Sequence, residues 1–281
     1  MIVRLFFNFF LRVLDFLNVK RKFHIKGIMV SYTHEVREED LSNFENLILK
    51  ILETHSIISP NDFFNYYEKG MPLPLNSILM TFDDGFLSSY NATISVLNKY
   101  NIKAIFFIPT KIFELRTALE MREFTNSNIY YGKLEKDNPE DYLFMQSAHV
   151  VKLVDDGHYI AAHTHNHVIV KDIRTKQEIY QELIYPKKYL NTFSNDKRSV
   201  IAVPVGTEKQ INKFIFSHIR SNYDYCFTTL MGINNTNSNR HLLYRFNLPP
   251  DSTLNYLKSV LEGSYFPYYF LKMLKLKLKV R

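Results

Sequence analysis

The strongest constraint on this chain is an alternation of short apolar runs with segments of helical spacing. The runs are KGIMVSY (26–32), SILMTF (77–82), KAIFFIP (103–109), HYIAAHT (158–164), SVIAVPV (199–205), YCFTT (225–229) and LLYRFNL (242–248). Each is short and rich in β-branched or aromatic residues, which predicts strands. Between them, SSYNATISVLNKYN (88–101) and SAHVVKLVDDG (147–157) carry apolar residues at helical spacing, the second stopping at Gly157. Such alternation predicts an α/β fold with a mainly parallel sheet, as a barrel or doubly wound. Folds of this kind keep their chemistry at the C-terminal ends of the strands. The polar stretch 111–144 has no evident strand and is expected to be an insertion or lid, and GINNTNSN (232–239) a mobile surface loop.

The strand-end rule singles out TFDDGF, where Asp83 and Asp84 precede Gly85, and AAHTHNH, where His163 follows a strand. Two adjacent carboxylates disfavour joint ionisation unless a cation or hydrogen bonds compensate. Neighbouring side chains at a strand end point in different directions, so the pair need not share one role. A divalent metal on one Asp would leave the other free as a base. His163, His165 and His167 stand at alternate positions. A helical turn after the strand would put His163 and His167 at i and i+4 on one face, with His165 pointing elsewhere. Two imidazoles so placed can grip one ion, with Zn–N distances of about 2.0–2.1 Å. Taken alone, Asp-Asp before glycine is most often a turn or helix cap. Both motifs at strand ends of one α/β domain are far more specific.

TFDDGF together with HTHNH resembles the polysaccharide deacetylase, or NodB-homology, family of carbohydrate esterases, over most of residues 25–250. ILMTFDDGFLSSYNATISVLNKYNIKAIFFIP looks like that family's first motif with its βα unit, LVDDGHYIAAHTHNH like the second, and IAVPVG like the third. The resemblance implies a distorted (β/α)7-type barrel. It implies a divalent metal, usually zinc, on Asp84, His163 and His167, with Asp83 as general base. The Val205 backbone N–H would hold the oxyanion, and Pro204 and Tyr32 would line the sugar site. These roles suit amide hydrolysis, which needs an activated water, a stabilised oxyanion and a proton for the leaving amine.

The proton donor departs from the common pattern, because no late Leu-x-x-His element is evident after residue 205, and His218 and His241 are poor substitutes. VSYTHEV (30–36) is instead similar to the Tyr-His-x-Val element of the biofilm poly-N-acetylglucosamine deacetylase branch, with one residue inserted between Tyr32 and His34. His34 is therefore the expected acid, against the bland reading of a strand-end histidine. The third motif has Val203 and Val205 where aromatics are usual. LLYRFNLPPD resembles a late strand of the same branch, where Arg245 would either orient the catalytic Asp or pair on the surface.

The ends of the chain differ from this middle, dividing it into an amphipathic segment 1–24, the domain 25–261 and a basic, aromatic-rich tail 262–281. Arg4, Asn8, Arg12, Asp15 and Asn18 interrupt every apolar core that a secretory signal or a spanning helix would need. On a helical wheel these positions fall within about one third of the circumference, the rest being apolar. In the tail, LKLKLKV alternates with period two, so no helix is assigned there. Net charge is +7, concentrated towards the ends beside apolar residues, a pattern that suits an anionic membrane surface rather than nucleic acid. Packing of both ends on the domain is the alternative. The single cysteine, Cys226, excludes an internal disulfide framework and fits a reducing compartment.

The expectation is a metal-dependent N-deacetylase of an N-acetylated or N-formylated amino sugar, carried on a lipid at the cytoplasmic face of a membrane. Deacetylation of an exported or soluble polysaccharide such as poly-N-acetylglucosamine is the alternative enzyme reading. A catalytically silent sugar-binding protein on the same fold is the third.

Overall fold

The computed structural model describes residues 27–134 and 142–280. The amphipathic segment 1–24 lies outside them. Among the described residues eight strands form one sheet: β1 (Ile28–Tyr32), β2 (Ser56–Ile58), β3 (Ser77–Phe82), β4 (Ala104–Ile108), β5 (Tyr159–Ala162), β6 (Val200–Ala202), β7 (Tyr225–Phe227) and β8 (Phe246–Asn247). Their order is β7-β6-β5-β4-β3-β1-β8, with β2 also paired to β3, and every pairing is parallel. Each expected run contains a strand. β2 was not anticipated, because three residues carry too little pattern.

The sheet curls into a distorted barrel. Leu243 bridges Phe227 of β7, while Phe246 and Asn247 pair with β1, so one segment touches both sheet edges. Side chains alternate with the two-residue period of a strand. Ile28 and Val30, Leu79, Ile105 and Phe107, Ala161, Val200 and Ala202, and Tyr225 and Phe227 meet in an inner core. Rings on the non-adjacent strands β4 and β7, Phe107 and Phe227, lie 5.4 Å apart, as expected inside a concave sheet. The intervening residues, among them Met29, Met80, Phe106 and Ile201, pack outward under the helices.

Helix Pro60–Lys69 closes the bottom of the barrel with Phe63, Phe64 and Tyr67, which pack edge-on or tilted against Tyr159 and Tyr225 at the starts of their strands. Its start is fixed by a Ser59–Asp62 capping box. With the lower end filled by aromatics, only the C-terminal ends of the strands remain for polar chemistry.

Two expectations are corrected. The loop 232–239 is anchored at Asn234, which is fully buried and bonds both Ile28 and Tyr244. The tail forms a helix, Phe266–Lys279. Tyr269, Met273, Leu276 and Val280 recur at helical spacing and dock on the core, outweighing the local period-two alternation.

Candidate metal centre and active site

Period two carries Thr81 and then Asp83 onto the inner face of β3, and the same phase carries His163 from β5 and Tyr32 from β1. Asp83 N–H donates to Thr33 O at 2.9 Å, which ties the end of β3 to β1. Asp84 takes a left-handed backbone (φ 70°), which turns it back towards the same centre instead of outward. Gly85 is also left-handed (φ 73°), and a Cβ there would lie 2.8 Å from Ile112 Cδ1. The strand therefore needs glycine at that point to turn into helix Leu87–Ala92.

Asp84, His163 and His167 are buried, with ligand atoms all within 4.8 Å of one another. His167 Nε2 lies 3.2 Å and His163 Nε2 3.5 Å from Asp84 Oδ1. Ligands about 2.0–2.1 Å from a tetrahedral ion stand about 3.3 Å apart, so these separations fit a shared metal. The opposite ring nitrogens make the same case. His163 Nδ1 donates to Ala202 O at 2.7 Å and His167 Nδ1 to Asn128 O at 2.8 Å. In the neutral ring each Nε2 then carries a lone pair, aimed at a carboxylate oxygen. Among the described residues no hydrogen-bond donor is assigned to either buried oxygen of Asp84. Two imidazole Nε2 atoms and a buried carboxylate converging on one point form a donor set that suits a cation.

Asp83 is occupied differently. Arg245 grips it with two charge-assisted bonds, Nη1–Oδ1 at 2.6 Å and Nη2–Oδ2 at 2.9 Å. Arg245 is itself fully buried, donates through Nε to Thr228 O and lies between the rings of Tyr32 and Phe107 at 4.8 and 5.2 Å. Of the two readings left open for Arg245, surface pairing is thus excluded. The two carboxylates are separated by partner, one held by a guanidinium and the other facing two imidazoles.

Burial raises the pKa of both acids, but the charges around them win. Arg245, and then His163, bring Asp83 below the usual carboxylate range. His167 chiefly holds Asp84 well below it. Burial drives His163 down to about 4 against the pull of Asp83, so its ring is neutral and competent as a ligand near pH 7. At His167 burial acts downward too, but Asp84 overcomes it and the pKa rises.

His163 and His167 do not meet on a helix. Residues 163–169 form an irregular turn in which Thr164 (φ 62°) and His167 (φ 53°) are left-handed. Glu182 pins that turn: its Oε2 accepts the N–H groups of His165 and Asn166 at 3.1 and 2.9 Å, and its Oε1 accepts Asn166 Nδ2 at 2.6 Å. His165 points away, as expected, bonding Thr110 Oγ1 at 2.8 Å and packing edge-on to Tyr185. Sequence reasoning missed Glu182. Its signal was a carboxylate between the buried Ile179 and Pro186 of one helical stripe. Glu182→Gln replaces an acceptor by a donor facing these groups. It should weaken metal binding about 10–100-fold and cost about 1–3 kcal/mol of stability. Metal titration and thermal unfolding check this, and an unchanged metal affinity would count against the pinning role.

The insertion 111–144 does reach the site. Asn128 supplies the His167 partner, and its Nδ2 donates to Asn166 O at 2.8 Å. Tyr130 and Ile129 line a cleft of about 370 Å³ that also includes Asp84, His34 and Glu35. His34 is exposed and packs edge-on to Tyr32. In the third motif Pro204 is buried, while the half-buried Val205 is left-handed (φ 62°), a strained state for a β-branched residue. Thr229 Oγ1 holds the Val205 carbonyl at 2.6 Å and Gly206 N–H donates to Pro204 O at 2.7 Å, which fixes the direction of this turn.

Comparison with known proteins bears on the family and the fold. Residues 71–216 match the polysaccharide deacetylase family. Among curated proteins no sequence match reaches significance. The fold is similar to that of the Streptococcus pyogenes deacetylase PplD in complex with acetate, at 19% identity and a TM-score of 0.64, over 84% of this chain and 97% of that one. It is also similar to IcaB from Ammonifex degensii (16% identity, TM-score 0.62, 85% and 97% covered). A third is a de-N-acetylase from Aggregatibacter actinomycetemcomitans (16% identity, TM-score 0.61, 83% and 98% covered).

Proposed function

The chain belongs to the polysaccharide deacetylase family, and we propose that it hydrolyses the N-acyl amide of an amino sugar at the centre formed by Asp84, His163 and His167. The observation that supports this most is the convergence of two imidazole Nε2 atoms on the undonated Asp84 carboxylate, beside an Asp83 pinned by Arg245.

Asp84, His163 and His167 would hold a divalent cation, zinc by family resemblance. When bound, it supplies Lewis acidity to the acyl oxygen and makes water a better nucleophile near neutral pH. Asp83, kept ionised by Arg245, takes the proton of the attacking water. The Val205 N–H donates to the oxygen that becomes negative as the tetrahedral carbon forms. His34, on the wall of the open cleft, gives a proton to the sugar nitrogen as the C–N bond breaks. Water is thereby divided between the departing carboxylate and the free amine. Tyr32 and Pro204 contribute to the floor beneath the sugar.

Metal-free protein, prepared by dialysis against a chelator, should lose acetate release from an N-acetylated amino sugar, and added divalent metal should restore it. Undiminished release after verified metal removal would refute the reading.

For the substrate we favour a lipid-linked or polysaccharide glycan of cell-envelope biosynthesis, reached from the cytoplasmic face of a membrane. The two basic, apolar ends support that setting. A second reading, deacetylation of an exported polymer such as poly-N-acetylglucosamine, draws on the cleft of about 370 Å³ lined by Asp84, His34 and Tyr130. Product analysis on lipid-linked sugars against free polymer separates the two.

A further inference from the structure

The C-terminal helix Phe266–Lys279 has two apolar sides where one would suffice to dock it. Its inner side is accounted for. Leu276 is 1% exposed, and Tyr269, Met273 and Val280 pack on the core over the loop at Gly232. Measured from Leu276 at 100° per residue, Phe270, Leu271, Leu274 and Leu278 fall between about 120° and 220° round the helix, and they are 59%, 63%, 45% and 58% exposed. Such a contiguous apolar stripe is costly to leave in water and marks an interaction surface.

The charges around the stripe identify its partner. Lys277 borders it on one side and Lys275 on the other, with Lys279 and Lys272 beyond. No acidic residue occurs after Glu262. An apolar face rimmed by lysines matches the interface of an anionic bilayer, where the side chains enter the acyl boundary and the ammonium groups meet the headgroups. The two other candidate occupants carry the wrong charge. A second copy would bring the same lysines. Residues 1–22 hold Arg4, Arg12, Lys20, Arg21 and Lys22 against the single acid Asp15. The helix is also too short to span a bilayer, so it would lie in the plane of the surface. It runs near the site: Lys279 Nζ donates to the carbonyl of Glu208, two residues past Gly206 of the third motif.

We propose that the outer stripe of this helix, Phe270, Leu271, Leu274 and Leu278, seats the protein on an anionic lipid surface. This deepens the membrane setting proposed above and rests on it only for the choice of substrate.

The test uses the full chain with Leu271→Glu, Leu274→Glu and Leu278→Glu combined, in flotation with phosphatidylcholine–phosphatidylglycerol vesicles. These side chains project into solvent, so a folded protein with normal acetate release from a soluble amino-sugar substrate is expected. The parent should bind the mixed vesicles, bind pure phosphatidylcholine far less and release as salt rises. The variant should bind at least tenfold more weakly. Unchanged binding by the variant would overturn the proposal and assign the contact to residues 1–26. No vesicle binding by the parent, or a parent dimer that the variant abolishes without loss of vesicle binding, would overturn it as well. Acetate release from soluble substrate is read separately. A failed docking surface with intact catalysis is thus distinguishable from a failed catalytic assignment.

Discussion

Asp83→Asn is expected to lower kcat by about 10²–10⁴-fold, the usual contribution of a positioned general base, while the protein keeps its metal. Asparagine has nearly the same shape but cannot take up the proton. Asp84→Asn should do the opposite, losing most of the metal and, with it, turnover. The contrast follows from the partners of the two acids. Asp83 has both oxygens engaged by Arg245, whereas Asp84 faces the His163 and His167 nitrogens. Metal content by elemental analysis beside acetate release reads both variants. Equal metal loss in the two would overturn the division of labour.

Arg245→Ala should be the most damaging change to the fold itself. It strands a buried carboxylate, and breaking one side of a buried pair costs about 3–5 kcal/mol. Arg245 also holds Thr228 O and fills the space between Tyr32 and Phe107, so packing is lost as well. The sign of the pH effect is fixed. Arg245 lowers the pKa of Asp83, so in the native protein the acid contributes stability above its unfolded value near 3.8. That contribution fades as pH falls through the folded value. Without the guanidinium the largest charge opposing burial is gone, and the pKa of Asp83 rises. The acidic limb of the activity profile should therefore move to higher pH. Arg245→Lys keeps the charge and loses the fork, so it should preserve more stability than activity. An Arg245→Ala protein with unaltered melting and an unmoved acidic limb would contradict the assigned positioning role.

The mainly parallel sheet and the strand-end placing of Asp83, Asp84 and His163 were legible in the sequence because period-two runs and strand-end polar residues are local patterns, whereas the choice of Asp84 over Asp83 as a ligand came from the family resemblance. The manner in which His163 and His167 meet was not legible. A helix was the economical guess, but the chain uses left-handed Thr164 and His167, held from outside by Glu182. Such a turn depends on a partner far along the chain. Asn128 left no sequence trace for a simpler reason: its bond to His167 is made by a backbone carbonyl, which every residue possesses. The C-terminal helix was hidden by LKLKLKV, whose strand-like alternation loses to burial of Tyr269, Met273 and Leu276 on a surface that only the folded domain provides.

Arg245 sits on the segment that touches both edges of the sheet, between Leu243 on β7 and Phe246 on β1. The group that grips Asp83, the proposed base, is therefore also the last stitch of the barrel's seam. A molecule whose seam has opened cannot keep a half-working base, because Asp83 loses its clamp in the same event. Competence should then switch off with the seam as one unit, and amide exchange at Leu243 and Arg245 should track the loss of turnover under mild denaturant.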